Sequence, residues 1–252
     1  MEIEIWQLAL LILAAFCSGF IDAIAGGGGL ITVPALLSVG IPPHVALATN
    51  KAQAVFGSAT AAFMFYKKGF YTLKEVALGV IFTLTGAIVG TRAVLLMNAD
   101  FLRFIIPFLL VGILIYTIFS PKLGDEARSA KFNQKILYAF FGFCLGFYDG
   151  FFGPGTGSFW TFALISLVGL SMKSAIAQTK AFNFTSNIVS LAVFILGGEI
   201  LWFIGLSMGV ASMLGGVFGS NFVIKKDIKI IRAIFLFMVS MILLKLIFDF
   251  FK

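Results

Sequence analysis

Apolar runs long enough to span a lipid bilayer recur from one end of this chain to the other, and little else is left over. Ten runs can be marked: about 5–24, 30–41, 44–66, 74–97, 101–120, 135–152, 157–170, 173–196, 200–221 and 230–251. Eight are long against the roughly 20 residues a membrane helix needs, and two are short. All should be helical, because an unpaired backbone group in hydrocarbon costs several kcal/mol. Charged residues make up 12% of the 252 positions and hydrophobic ones 60%. A soluble domain carries about 25% charged residues, so this chain lacks the groups to face water. Mean hydropathy of +1.08 agrees. The expected fold class is an all-α polytopic membrane protein.

The net charge of +7 does not mark a nucleic-acid binder, because the basic residues sit in short clusters between apolar runs, as loop anchors do. Two cysteines cannot make a disulfide framework. Glu2 and Glu4 stand where a signal peptide would carry a basic segment, so the first run is expected to be retained.

The chain also repeats itself. Gly19-Phe20-Ile21-Asp22-Ala23 returns as Gly146-Phe147-Tyr148-Asp149-Gly150, an offset of 127 that also relates Cys17 to Cys144. A glycine-rich break follows each time, Gly26 to Gly29 and then Gly153 to Gly157. Beyond it the offset is 129: Gly40 matches Gly169, Lys51-Ala52 matches Lys180-Ala181, and Gly86 and Gly90 match Gly215 and Gly219. An ordered series at nearly constant offset divides the chain into a first transmembrane repeat (1–120), a linker (121–131) and a second repeat (132–252).

The two short runs leave two topologies. Twelve residues of helix rise about 18 Å, less than the hydrocarbon thickness of about 30 Å. If these segments re-enter, there are eight crossings and the halves share one orientation. If they cross, there are ten and the halves are inverted. Twelve basic residues flank the spans: Lys67, Lys68, Lys74, Lys122, Arg128, Lys131, Lys135, Lys173, Lys225, Lys226, Lys229 and Arg232. Eight crossings divide them between the two sides, whereas ten gather all of them on one side, opposite Arg92, Arg103 and Lys252. The positive-inside rule favours the second arrangement. The expectation is an inverted repeat of eight long transmembrane helices plus two short glycine-interrupted segments, with a cytoplasmic linker and both termini outside the cytoplasm.

Interrupted segments at matching positions of two halves point to a ligand site near the midplane. Broken helix ends offer backbone N–H groups that favour anions, and glycine lets backbone approach a ligand closely. The candidate binding residues are Gly26, Gly27, Gly28, Gly29, Gly153, Gly155, Thr156 and Gly157, with Asn50, Lys51, Gln178, Lys180 and Asn183. Alternatively, the glycines serve only close helix packing. Lys51 and Lys180 each lie about seven residues inside an apolar run, where a lysine costs roughly 2.5–3.5 kcal/mol unless it meets a cavity or a partner. Snorkelling to the nearer interface is the competing explanation. Asp22 and Asp149 precede the breaks, and the inverted arrangement places Asp22 with Lys180 and Asp149 with Lys51. These pairs are candidates for gating or proton coupling, with local helix capping by each Asp as the alternative. His44 is the only histidine, and no catalytic set, metal-ligand cluster or phosphate loop is visible. No enzyme, metal or cofactor is expected.

The run Gly19 to Gly29, with Pro34, Gly40-Ile41-Pro42-Pro43 and Ala48-Thr49-Asn50-Lys51, resembles the TauE/SafE sulfite-exporter family, closest to its YfcA-like branch. Its counterpart Gly146 to Gly157 does so too, and the likeness covers essentially the whole chain. The resemblance implies a secondary transporter in a bacterial cytoplasmic membrane. Its cargo would be a small anion such as sulfite, thiosulfate or sulfoacetate, moved by alternating access. An anion channel and a carrier of a non-sulfur organic anion stay open beside it, as does the oligomeric state.

Overall fold

The computed structural model describes residues 3–119, 133–226 and 230. Among the described residues nine α-helices follow one another: α1 (Ile5–Ala25), α2 (Gly29–Ser38), α3 (Pro43–Lys67), α4 (Leu73–Leu95), α5 (Ala99–Phe119), α6 (Gln134–Phe151), α7 (Thr156–Ala163), α8 (Met172–Gly197) and α9 (Trp202–Lys225). A π-helical turn, Leu164–Val168, extends α7. The expected linker and all but residue 230 of the last apolar run lie outside the described residues.

Local chemistry sets the helix ends. Thr72 and Glu75 form a reciprocal capping box at the start of α4. Asn133 and Ser171 accept N–H bonds at the starts of α6 and α8. Pro43 occupies the first position of α3, where its missing N–H costs nothing.

The expectation of eight long transmembrane helices is corrected. Among the described residues four helices, α1, α4, α8 and α9, are long and apolar enough to cross a membrane. For α3 and α6 the reason is physical. α3 is 25 residues long, but Asn50, Lys51, Gln53, Ser58 and Thr60 break its apolarity. α6 has 18 residues, opens on Gln134-Lys135 and carries Asp149 near its end. In α3 and α6 the polar groups of the site take away the uniform hydrophobicity of a lipid-facing span.

Packing crosses between the two sequence halves. α1 lies along α9, α4 along α6, and α3 between α8 and α9. Glycines allow these contacts: Gly86 and Gly90 of α4 meet the backbone of Phe143 and Phe147, and Gly215 and Gly219 of α9 meet that of Phe16 and Phe20. Any Cβ at these four positions would strike the neighbouring helix. Outward-facing Leu13, Ile81, Phe140, Phe203 and Phe218 present the apolar surface that a bilayer covers.

One end of the bundle is closed by a cluster of Phe65, Tyr71, Val76, Tyr138, Met172 and Val223, from α3, the α3–α4 turn, α4, α6, α8 and α9. Tyr71, in that turn, donates to Ala62 O at 3.0 Å. Burial, and then Tyr66, push its hydroxyl up to about 12, so it remains a donor at any physiological pH. The opposite end gathers Leu47, Val94, Leu102, Phe152 and Phe194 in one cluster and Leu11, Leu36, Ile41 and Ile204 in another.

Candidate functional site

Both glycine-rich breaks lie at the centre of the bundle and touch each other. α1 stops at Gly26, whose φ of 76° is the left-handed conformation that glycine adopts without penalty. α6 stops at Phe151, and Gly153 and Gly155 (φ 101° and 83°) turn the chain into α7. Ser158 ties the breaks together, its N–H donating to Gly26 O at 3.2 Å and its Oγ to Ala25 O at 3.0 Å. The backbones of Gly26 and Gly157 meet directly, and Gly29 packs on Pro154.

Beside this crossing is a cavity of about 40 Å³. That is room for a few waters or one small ion. One stripe of each neighbouring helix faces it at helical spacing: Ser18 and Asp22 from α1, Asn50, Lys51, Gln53, Ala54, Gly57 and Ser58 from α3, and Asn183 and Asn187 from α8. Asp149 of α6 and Ser212 of α9 complete the side-chain lining. The breaks contribute Gly26, Gly28, Gly29, Gly153, Gly155, Thr156 and Gly157. Among the described residues the N–H groups of Gly28, Gly29, Gly155 and Gly157 donate to no backbone or side-chain acceptor.

Two ion pairs cross the bundle. Lys51 Nζ lies 2.7 Å from Asp149 Oδ1 and donates to Asn187 Oδ1 at 3.1 Å. Ser186 Oγ donates to the other oxygen of Asp149. Lys180 Nζ lies 3.3 Å from Asp22 Oδ2 and also donates to Asp22 O. Lys51 and Lys180 are 2% and 1% exposed, so neither snorkels. The pairs differ at the carboxylate: the Asp149 side chain is 6% exposed and that of Asp22 is 22%. A buried network holds the amides in place, with Thr32 Oγ1 donating to Asn50 Oδ1 at 2.6 Å and Gln53 Nε2 to the same oxygen at 3.1 Å.

Three of the sequence-derived binding residues do not line the cavity. Gly27 turns away from it, and Lys180 stands behind Asp22. Gln178 precedes Asn183 by five residues, about 140° around the helix, and accepts from Tyr138 Oη at 2.5 Å. The lining includes Ser18, Gly57 and Ser212, which the sequence reading did not single out. Ser18 carried a usable signal, since it sits one turn before Asp22 on the same face. His44 is elsewhere, its Nε2 3.1 Å from Val94 O, beside an open cavity of about 530 Å³ that also meets Glu199. Cys17 and Cys144 do not line the central cavity.

The sulfite exporter TauE/SafE family profile matches residues 11–246. A "probable membrane transporter protein" of Haemophilus influenzae is 43% identical, the match covering 99% of this chain and 98% of the relative. The probable membrane transporter protein YfcA of Escherichia coli is 41% identical over 96% of this chain and 90% of its own. A more distant relative, YunE of Bacillus subtilis, is 23% identical over 96% and 98%. No solved structure matches. A profile that spans nearly the whole chain, with relatives above 40% identity over nearly all of their own length, leaves one conclusion: the chain belongs to the sulfite exporter TauE/SafE family of membrane transporters, in the branch that includes YfcA.

Proposed function

We propose that this protein carries a small sulfur-containing oxyanion or organosulfonate, of the sulfite, thiosulfate and sulfoacetate class, by alternating access at the central cavity. The observation that carries this reading is the small polar cavity where two broken helices cross, lined by unpaired backbone N–H groups and by Lys51. Such groups match the oxygens of a compact anion. The volume suits a small anion and is too small for a bulky organic one. Asp22–Lys180 and Asp149–Lys51 are the gates, opening in turn. A small site bounded by two ion pairs supports a carrier over a continuously open channel.

The test is a thermal-shift screen of the purified protein against sulfite, thiosulfate, sulfonates, carboxylates and phosphate, followed by counterflow in proteoliposomes. Sulfur oxyanions and sulfonates should stabilise the protein most and should show saturable counterflow. Equal responses to all the anions, or none, would remove the sulfur-anion assignment, and flux without counterflow would favour a channel.

The protein is placed in a bacterial cytoplasmic membrane with its N-terminus outside. The end closed by Tyr71, Tyr138 and Met172 also carries Lys67, Lys68, Lys74, Lys135, Lys173, Lys225 and Lys226 at the adjoining helix ends, and the positive-inside rule assigns that end to the cytoplasm. Single-cysteine labelling from outside intact cells should reach position 199 and not position 69. The reverse pattern would invert the assignment.

A further inference from the structure

This inference rests on the anion-carrier reading above and concerns what must accompany the anion. The fixed charges around the cavity already cancel. Lys51 is matched by Asp149 and Lys180 by Asp22. Each break also sets a helix C-terminus beside a helix N-terminus, α1 with α2 and α6 with α7, so the dipoles offset each other in part and supply no full positive charge. An arriving anion would therefore leave an uncompensated negative charge in a buried space, which is strongly unfavourable. Something positive has to enter with it.

A metal cation would need free carbonyl oxygens, the usual ligands at unwound helix ends. The breaks offer few. Gly26 O and Ala25 O accept from Ser158, Gly153 O accepts from Thr156, and Pro154 O accepts from Tyr148. At the end of α1 a cation is already present, tethered: the Lys180 ammonium binds both Asp22 O and the Asp22 carboxylate. Among the described residues Gln53 Oε1 and Asn183 Oδ1 are lining oxygens without a partner. Two such oxygens fall short of the roughly six that a hard metal cation takes, so the small cation favoured is a proton.

Of the two carboxylates, Asp149 is the one whose protonation releases a cation to the anion. Lys51 lines the cavity and is held by Asp149, whereas Lys180 does not line it. The charged and titratable groups about Asp149 are Lys51 from α3, Lys180 from α8, Asp22 from α1 across the cavity, and Tyr148 beside it on α6. α7 and its π turn carry none, and those of α4 (Lys74, Glu75 and Arg92) are exposed.

We infer that a singly charged anion bound in the cavity brings one proton, taken up by the Asp149 carboxylate, and that this frees Lys51 to pair with the anion without any metal cation. The proton adds to a carboxylate oxygen to give the neutral acid, which can keep accepting from Ser186. The ammonium of Lys51 stays charged throughout.

The test is calorimetry of methanesulfonate binding, in buffers of different ionisation enthalpy and from pH 6 to pH 8, with sodium or with choline as the only added cation. Methanesulfonate stays ionised across this range, so any proton taken up belongs to the protein. The wild type should take up close to one proton per anion, bind about tenfold more tightly per unit fall in pH, and respond equally in both salts. The sign follows from the bound form holding the extra proton. Asp149→Asn, which mimics the neutral acid, should bind with no proton uptake and no pH dependence. Asp22→Asn should change affinity and keep the one-proton count. Wild-type binding without proton uptake, or binding that requires sodium, overturns the inference and leaves the carrier reading intact. No binding of methanesulfonate, thiosulfate or sulfite at any pH overturns both.

Discussion

Lys51→Met is expected to lower stability by about 3–5 kcal/mol, the cost of breaking a buried pair and leaving one charge behind. Asp149 is 4% exposed, and its carboxylate would keep only Ser186 as a side-chain donor. Removing the second charge as well should reverse most of the loss. Lys51→Met combined with Asp149→Leu leaves Asn187 Oδ1 without its donor from Lys51 but no buried charge. Both variants should lose anion binding, because the cation that faces the cavity is gone from each. Lys180→Met should cost less than Lys51→Met, since the Asp22 carboxylate is partly exposed and can recover hydration. The measurement is the thermal unfolding midpoint in detergent, with anion binding followed in parallel. A double variant no more stable than Lys51→Met would show that the pair is not the main debt of that site.

That pairing was legible in the sequence because two signals coincided. A lysine inside an apolar run demands a partner, and the constant offset between the halves left one aspartate on each side to supply it. The offset misled where the two halves differ. Lys51 and Lys180 occupy equivalent positions, yet only Lys51 faces the cavity. Two residues further on, Gln53 corresponds to Phe182, which is fully buried and stacked on Trp160 with ring centroids 4.2 Å apart. The aromatic pair fills the space that remains polar beside Gln53, so the site is asymmetric although its frame repeats. Gly57 and Ser212 were illegible for another reason. They pack against each other where α3 meets α9, and a small residue on a packed face carries no pattern that separates lining from packing. The count of spans failed through the same coupling of site and scaffold: α3 and α6 are polar because Lys51, Gln53 and Asp149 are there.

The second large effect should come from the place where the two breaks touch. Gly26→Ala is expected to cost about 2–5 kcal/mol, from two sources that add. Holding an alanine at φ 76° costs about 1–2 kcal/mol. The new Cβ would also strike the backbone of Gly157 and Ser158, which cannot rotate aside as a side chain would, and such overpacking costs about 1–3 kcal/mol. Gly157→Ala meets the same crossing from the other side, against Gly26 and the Asn183 amide, but without the left-handed penalty, so it should cost less. Gly27→Ala is the control. It lies in the same glycine run, yet its Cβ would reach only Leu30 Cδ1 at 3.4 Å, an ordinary contact. It should therefore be nearly neutral in the thermal unfolding midpoint and in anion binding. The order Gly26 worst, Gly157 next and Gly27 harmless separates a requirement for backbone contact from a general intolerance of the glycine run to substitution. Equal damage at all three positions would mean that flexibility of the run matters, and the crossing of α1–α2 with α6–α7 would lose its place as the frame of the site.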